Sequence, residues 1–404
     1  MKDIWYVARR ICAVIVGTVL FVAGSLKLMD PVGAGLVVSE YFKFFHLGFL
    51  MPLSKALGVF LALLESATGA ALITGTWRKT VAWAAMVLTA FFTVVTFAIL
   101  IGNPDMDCGC FGEAFHLTHV QTFVKNLVLC GLCAAAFFPF KSIGEPRGRK
   151  YLAFALVMAV VLALTVYSLA SIPLVDFTPY KTGVELQSSL DNPAEVSDGW
   201  VSAFIYEKNG QEGSFTIDRL PDSTWTYVRT ETYRRNGPSF DDGPVTLDVT
   251  DADGDYQEES LSEGEVLAVS LPDPSSLDKK GWEKVSGAVS DAVSAGFKAF
   301  VLVSSSPEEF TRLAAEAGAG DLSGEALFAD HKTLLSLNRS NGGAVWLSDG
   351  MIVKKFSRND LPSAGYLSKQ SRKDPMNVMM NNMTRGRLRF QAYLLYSFAI
   401  LFFL

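Results

Sequence analysis

The stretch 105–119, DMDCGCFGEAFHLTH, gathers the most reactive side chains of the chain. Cys108 and Cys110 stand one residue apart across Gly109, which permits backbone angles closed to other residues. A disulfide between them closes a small ring, and strained disulfides are the more oxidising and labile ones. Such a pair would exchange disulfides with a thiol partner. Two other readings use the same residues. The disulfide could be static and simply lock the loop. Alternatively, Cys108, Cys110, His116 and His119 could form a Cys2His2 metal set, with Asp105, Asp107 or Glu113 around it. Cysteines one residue apart are unusual for zinc, which favours a spacing of two to four. In the exchange reading the reactive species is a thiolate. Asp105, Asp107 and Glu113 would oppose it, whereas Lys125 or a protonated His116 would favour it.

Further groups lie in apolar surroundings. Cys130-Gly-Leu-Cys133 is a CxxC whose thiols share one helix face. Small packing residues explain it, and so does a relay carrying electrons to a lipid-soluble quinone. Cys12 stands alone and reads as packing. Glu65 falls near the middle of GVFLALLESATGAALITG, where an ionisable group is costly and often functional. It fits proton handling beside a quinone, and equally a buried hydrogen bond between helices. Lys27 and Asp30 end the first apolar run and can pair there. Lys125 can snorkel toward an interface, and Asn126 can bond across helices.

The elements that hold these groups follow from composition. The chain has 404 residues, of which 50% are hydrophobic, and its mean hydropathy is +0.27. Residues 1–173 hold 8 acidic and 13 basic side chains, whereas 174–385 hold 33 and 20. An apolar, mildly basic part is thus joined to an acidic soluble one, which argues against nucleic acid as partner. Apolar runs cover roughly 7–28, 53–76, 80–101, 119–140 and 151–173, each near the ~20 residues that cross a bilayer. A sixth, 390–404, is shorter and either crosses or lies in the interface. VAGS at 22–25 looks like a signal cleavage site, but its apolar run continues to Leu28.

Lys2, Arg9 and Arg10, then Arg78 and Lys79, then Lys141, Arg147, Arg149 and Lys150 alternate to one side. By the positive-inside rule that side is the cytoplasm. The N-terminus is then cytoplasmic, and the 102–118 loop and the 174–385 domain face outward. Arg385, Arg387 and Arg389 oppose this rule on the far side, where a long translocated domain weakens it. The segment PVGAGLVVSEYFKFFHLGFLMPLSK between the first two spans reads as a helix lying at the outer interface.

In the soluble part, VSAFIYEKNG, GSFTIDRL and TWTYVRTETYRR are strand-like. Buried strands are expected at 266–273, 297–305 and 326–330, helices at 282–296 and 307–318, and a hairpin at 344–357 turning on Asp349-Gly350. This is a βαβ unit followed by an antiparallel pair. The order resembles a thioredoxin fold over 262–360. That resemblance implies a redox-silent domain used for docking, because none of the five cysteines lies in 174–404. Pro272-Asp-Pro-Ser-Ser276 stands where thioredoxins carry their cysteine pair, and Gly342-Gly343 where they carry a proline.

Three stretches of the membrane part are similar to the DoxX/MauE superfamily of redox-associated membrane proteins. GTVLFVAGSLKLMDP (17–31) resembles its first helix, with Gly24, Lys27, Asp30 and Pro31 in place. LLESATGAALITG (63–75) resembles its second, with the acidic residue. DCGCFG (107–112), followed by FVKN (123–126), resembles the MauE branch. The resemblance covers roughly 1–140 and implies a four-helix bundle, with 141–173 adding a cytoplasmic loop and a fifth helix. It implies redox work at the outer membrane face, with quinone as the associated cofactor. The expectation is a multi-pass protein of the bacterial inner membrane. Cys108 and Cys110 form its redox pair, Glu65 handles protons, and 174–385 docks a periplasmic or membrane partner. A non-enzymatic scaffold of an envelope complex and a metal-binding membrane protein are the alternatives.

Overall fold

The computed structural model describes residues 2–104, 106, 109–115, 117–138, 148–187, 200–208, 211–216, 221, 224–234 and 245–404. The chain forms two compact units. One comprises Met1–Leu169 with Leu388–Leu404, and the other Ala170–Arg387.

The first unit is helical. Its elements are α1 (Lys2–Met29), α2 (Pro31–Phe44), α3 (Ser54–Thr74), α4 (Arg78–Gly102), α5 (His119–Phe137) and α6 (Gly148–Ala170), with a four-residue strand β1 (Cys110–Glu113) before α5. Five helices are long and apolar enough to cross a membrane: Ile4–Met29, Gly48–Thr74, Arg78–Gly102, His119–Phe137 and Gly148–Ala170. Large apolar side chains such as Trp83, Val94, Leu127 and Val166 point outward from them, as on a surface that faces lipid. The protein is a multi-pass membrane protein.

Small residues bring these helices together, as bilayer packing requires when lipid is as apolar as leucine. On α1 and α3, Gly24 and Gly69 lie at the contact. A Cβ on Gly24 would sit 2.6 Å from Ala62 O, and one on Gly69 2.6 Å from Gly17 O. The segment expected to lie at the interface is α2, and one of its faces is buried. Gly35 and Ala34 meet Lys55 and Gly58 of α3 at backbone distance. Asp30 caps α2, accepting from Gly33 N at 2.9 Å.

Basic side chains close one end of the bundle by capping helix C-termini. Arg10 donates to Leu72 O at 2.7 Å and to Ile73 O at the end of α3. Arg9 donates to Ala136 O at 2.9 Å near the end of α5, and Arg78 to Gly75 O at 3.0 Å. The sixth apolar segment belongs to this unit too. Phe398 packs edge-on against Phe21 at 5.5 Å, Tyr393 shares a 2.8 Å hydrogen bond with Ser25, and Lys150 donates to Phe402 O at 3.3 Å.

The second unit carries two sheets of three or more strands among its described residues. β3 (Trp200–Lys208), β4 (Gln211–Thr216) and β5 (Thr226–Arg234) form an antiparallel set in the order β4-β3-β5, and β2 (Leu186–Gln187) pairs with β6 (Val245–Thr246). A short helix, α7 (Glu258–Ser262), precedes the main sheet. That sheet holds β7 (Glu265–Leu271), β8 (Lys298–Val303), β9 (Ala326–Phe328), β10 (Gly343–Ser348) and β11 (Met351–Phe356), in the order β11-β10-β7-β8-β9. β7, β8 and β9 run parallel, and β10 and β11 form the expected antiparallel hairpin. Its two-residue turn holds Asp349 at φ +46° and Gly350 at φ +76°, the pairing that matches the twist of the strands.

Helices α8 (Lys279–Ser294) and α9 (Pro307–Ala317) start on Asp278 and Ser306, whose side chains cap them. One face of the sheet buries Leu267, Val269, Trp282, Val285, Phe310 and Trp346. Two helices escape the apolar pattern. α10 (His331–Leu337) is only two turns long, and α11 (Ala364–Gln370) is equally short. The last helix, α12 (Pro375–Phe403), begins fifteen residues before the apolar run at 390, in a stretch rich in Met, Asn and Arg.

A polar pocket in the membrane bundle

At the end of the bundle away from Arg9 and Arg10, α1 finishes, α2 begins, and β1 lies between α4 and α5. A pocket of about 70 Å³ opens there and runs inward. Its walls are mainly apolar, from Val19, Leu20 and Ala23 of α1, Val38 of α2, Leu61 of α3 and Leu129 of α5. Eight polar side chains interrupt them: Lys27, Tyr41, Glu65, Thr89, Thr96, Cys110, Lys125 and Asn126. Residues 83 positions apart along the chain, from Lys27 to Cys110, therefore share one lining.

Lys27 and Glu65 form an ion pair at 2.6 Å, with side chains 14% and 2% exposed. Lys27 also stands 5.4 Å from the centre of the Phe92 ring. The pairing predicted for Lys27 at the end of α1 is thus made inward with Glu65, while Asp30 caps α2. Only one Glu65 oxygen is engaged. Oε2 is buried and has no hydrogen-bond partner among the described residues. Asn126, 3% exposed, donates to Phe92 O at 3.3 Å and Thr96 Oγ1 at 3.2 Å, the interhelical bond its sequence position suggested.

Cys110 reaches the pocket because the chain turns sharply before it. Gly109 has φ +54°, and a Cβ there would overlap the side chain of Val37. β1 is therefore seated against α2 with no room to spare. Phe111, next to Cys110, lies under Lys125, whose Nζ is 4.7 Å from the ring centre. Cys110 is half-buried and carries a free thiol. Cys108, Asp105, Asp107 and His116 lie outside the described residues.

His119 opens α5 directly after Thr118, which forms a reciprocal capping box with Gln121. Its Nδ1 is 3.3 Å from Asn103 Oδ1 and its Nε2 is 3.0 Å from Met106 O. Both ring nitrogens thus face loop oxygens, and a metal would have to displace one. Among the described residues no three His, Cys, Asp or Glu side chains converge as a metal set.

Cys130 and Cys133 are free thiols that face α4. Cys130 Sγ is 3.3 Å from Thr93 Oγ1 and Cys133 Sγ is 3.9 Å from Thr89 Oγ1. The latter cysteine packs in an apolar cluster with Val16, Leu20, Leu72 and Leu129. Cys12 borders the same cluster.

In the second unit, Asn341 ties the Pro272–Ser276 turn to the start of β10. Its Nδ2 donates to Asp273 O at 2.6 Å and Ser276 Oγ at 3.0 Å, and its Oδ1 accepts from Asp273 N at 3.2 Å. Serine, aspartate and asparagine hold this end of the inner strands β7 and β10, and it offers no thiol.

No curated protein and no solved structure matches the chain. Residues 201–233 match the model of a domain of unknown function, DUF8463. Residues 5–139, which contain most of α1, all of α2 to α5 and every residue lining the pocket, match the family model described as methylamine utilisation protein MauE, so this part of the bundle is MauE-like.

Proposed function

We propose that this protein is a membrane thiol–disulfide redox protein working at the outer face of the bacterial inner membrane. Cys108 and Cys110 are its exchanging pair. The observation that carries the reading is that Cys110 lines one pocket with Glu65, Lys27 and Lys125. A thiol at the mouth of a polar pocket inside a membrane bundle has an acceptor side as well as an aqueous side. A partner's two thiols would reduce the Cys108–Cys110 disulfide and leave the partner oxidised. The resulting dithiol would pass two electrons and two protons to a quinone, re-forming its S–S bond and releasing a quinol. Glu65 is the group suited to take up a proton along that route. The basic capping at the opposite end supports an inward position for Arg9, Arg10 and Arg78.

The second unit docks the partner in this reading. The order β11-β10-β7-β8, with β7 and β8 parallel and β10 and β11 antiparallel, supports a thioredoxin-like reading of this unit. The absence of cysteine after residue 133 makes it a binding surface, not an exchanger. That same feature favours a second reading, a non-enzymatic scaffold in which the CGC disulfide is structural. Single Cys108→Ser and Cys110→Ser variants separate the two. Exchange predicts that one of them accumulates a mixed disulfide with a periplasmic protein in cells. No adduct with either variant favours the scaffold.

A further inference from the structure

We propose that the first turns of α12 form a binding site for a soft monovalent metal ion, copper(I), built from the thioethers of Met376, Met379, Met380 and Met383. The site lies wholly within the second unit and is independent of the redox reading above. Four of the chain's eleven methionines fall in these eight residues. Their spacing is i, i+3, i+4 and i+7, which puts all four on one face of the helix. They do not belong to an apolar run. Their neighbours in 375–387 are Pro375, Val378 and otherwise only Asn, Thr, Gly and Arg. A core-facing helix would draw on Leu, Ile or Phe at such positions, which hold their shape better than Met.

The methionine face runs from the packed side of the helix to its open side. Met379 is 8% exposed and Met383 is half-buried, whereas Met376 and Met380 are 45% and 58% exposed. The two inner sulfurs converge. A Cβ on Gly183 would sit 3.1 Å from Met379 Sδ and 3.7 Å from Met383 Sδ. Gly183 holds φ +94° and donates its N–H to Ile352 O at 2.8 Å, so this wall is fixed to β11. From there, unbranched methionines one turn apart bring their sulfurs onto one ion by rotamer changes alone. An ion arriving from water meets Met376 and Met380 first and ends between Met379 and Met383. The donors select the ion. Thioethers are neutral and soft and select copper(I), whereas carboxylate and carbonyl oxygens suit calcium and magnesium. No Asp or Glu lies in 375–404, and Arg385 and Arg387 follow Met383 closely. Such a neighbourhood opposes a divalent cation more than a monovalent one.

The test is a titration of the full-length protein in detergent micelles, followed by nuclear magnetic resonance of isotope-labelled methionine methyl groups, with the thiols blocked by N-ethylmaleimide. Silver(I) is the redox-inert probe, and copper(I) is then supplied without oxygen. The methyl signals of Met376, Met379, Met380 and Met383, assigned by single Met→Leu variants, should shift first and saturate together. Leucine keeps the volume of methionine and removes the sulfur, so these variants should keep the wild-type unfolding temperature. Met379→Leu combined with Met383→Leu should weaken silver(I) binding about tenfold or more. Should that combination unfold the unit, the exposed pair Met376→Leu and Met380→Leu should show the same direction of loss. Zinc should leave all four signals in place. The inference is overturned by four unmoved signals in excess silver(I), by double variants that bind like wild type, or by equal shifts with zinc.

Discussion

At the residue scale, the Lys27–Glu65 pair places two opposite charges in the interior of the bundle. Removing one member of a buried pair leaves an uncompensated charge, which costs roughly 3–5 kcal/mol, whereas replacing both with apolar groups is often neutral. Lys27→Met should therefore lower the unfolding temperature in detergent markedly, and Lys27→Met with Glu65→Leu should recover most of it. A double variant as unstable as the single one would mean that the pair is not the source. In the second unit, Asp248 sits beside buried Glu258. Partial burial, the neighbouring charge and a hydrogen bond to Glu258 raise its carboxyl above the usual range. A raised folded-state value favours the folded state at low pH, and that contribution is lost as pH rises through it. Asp248→Asn should thus stabilise this unit near neutral pH, with the gain fading in acid. Amide exchange of β7 and β8 across pH would read this directly.

At the element scale, the geometry depends on how closely backbones approach. Gly24→Leu would drive a side chain into Ala62 and Ser66 of α3 and should prevent assembly of the bundle, seen as loss of the monodisperse species in detergent. Gly109→Ala is subtler. It strains a backbone at φ +54° and crowds Val37, so β1 should shift and carry Cys110 with it. The expected result is slower reaction of Cys110 with a maleimide at unchanged unfolding temperature, and an unchanged rate would show that the seat on α2 does not set its access. The membrane spans were legible because length and hydropathy suffice for a helix that must satisfy its own backbone. The βαβ unit and its hairpin were legible from apolar strands, Asp and Ser caps and the Asp349-Gly350 turn. The burial of α2 was not, since Gly35 and Gly58 signal close packing only once their partner helix is known. Nor was the start of α12, where Asn, Thr and Arg interrupt the methionines before the apolar run.

At the scale of the whole molecule, the convergence on the pocket was beyond the sequence. Glu65 and Cys110 each invited a redox role separately, but their common lining depends on α1 packing on α3 and β1 packing on α2. Lys125 read as a snorkelling cation at an interface, and its place in the lining of the pocket shows only in the fold. The C-terminal segment also changes meaning. With Phe398 on Phe21 and Phe402 O bonded to Lys150, the chain ends near the basic end of the bundle. Residues 388–404 span about 25 Å at 1.5 Å per residue, close to a bilayer core. A green fluorescent protein fused after Leu404 should therefore fluoresce in the cytoplasm, while one fused after Ser171 should not. Dark fusions at both positions would leave the last helix on the outer side.

In the proposed cycle, Cys108 and Cys110 pass between dithiol and disulfide under control of the membrane acceptor. The most direct measurement is their redox state in intact cells, by acid-quenched alkylation with a mass-shifting reagent, with and without a block on quinone turnover. The expected result is an oxidised pair that becomes reduced when turnover is blocked. A pair whose state is the same in both conditions would contradict it.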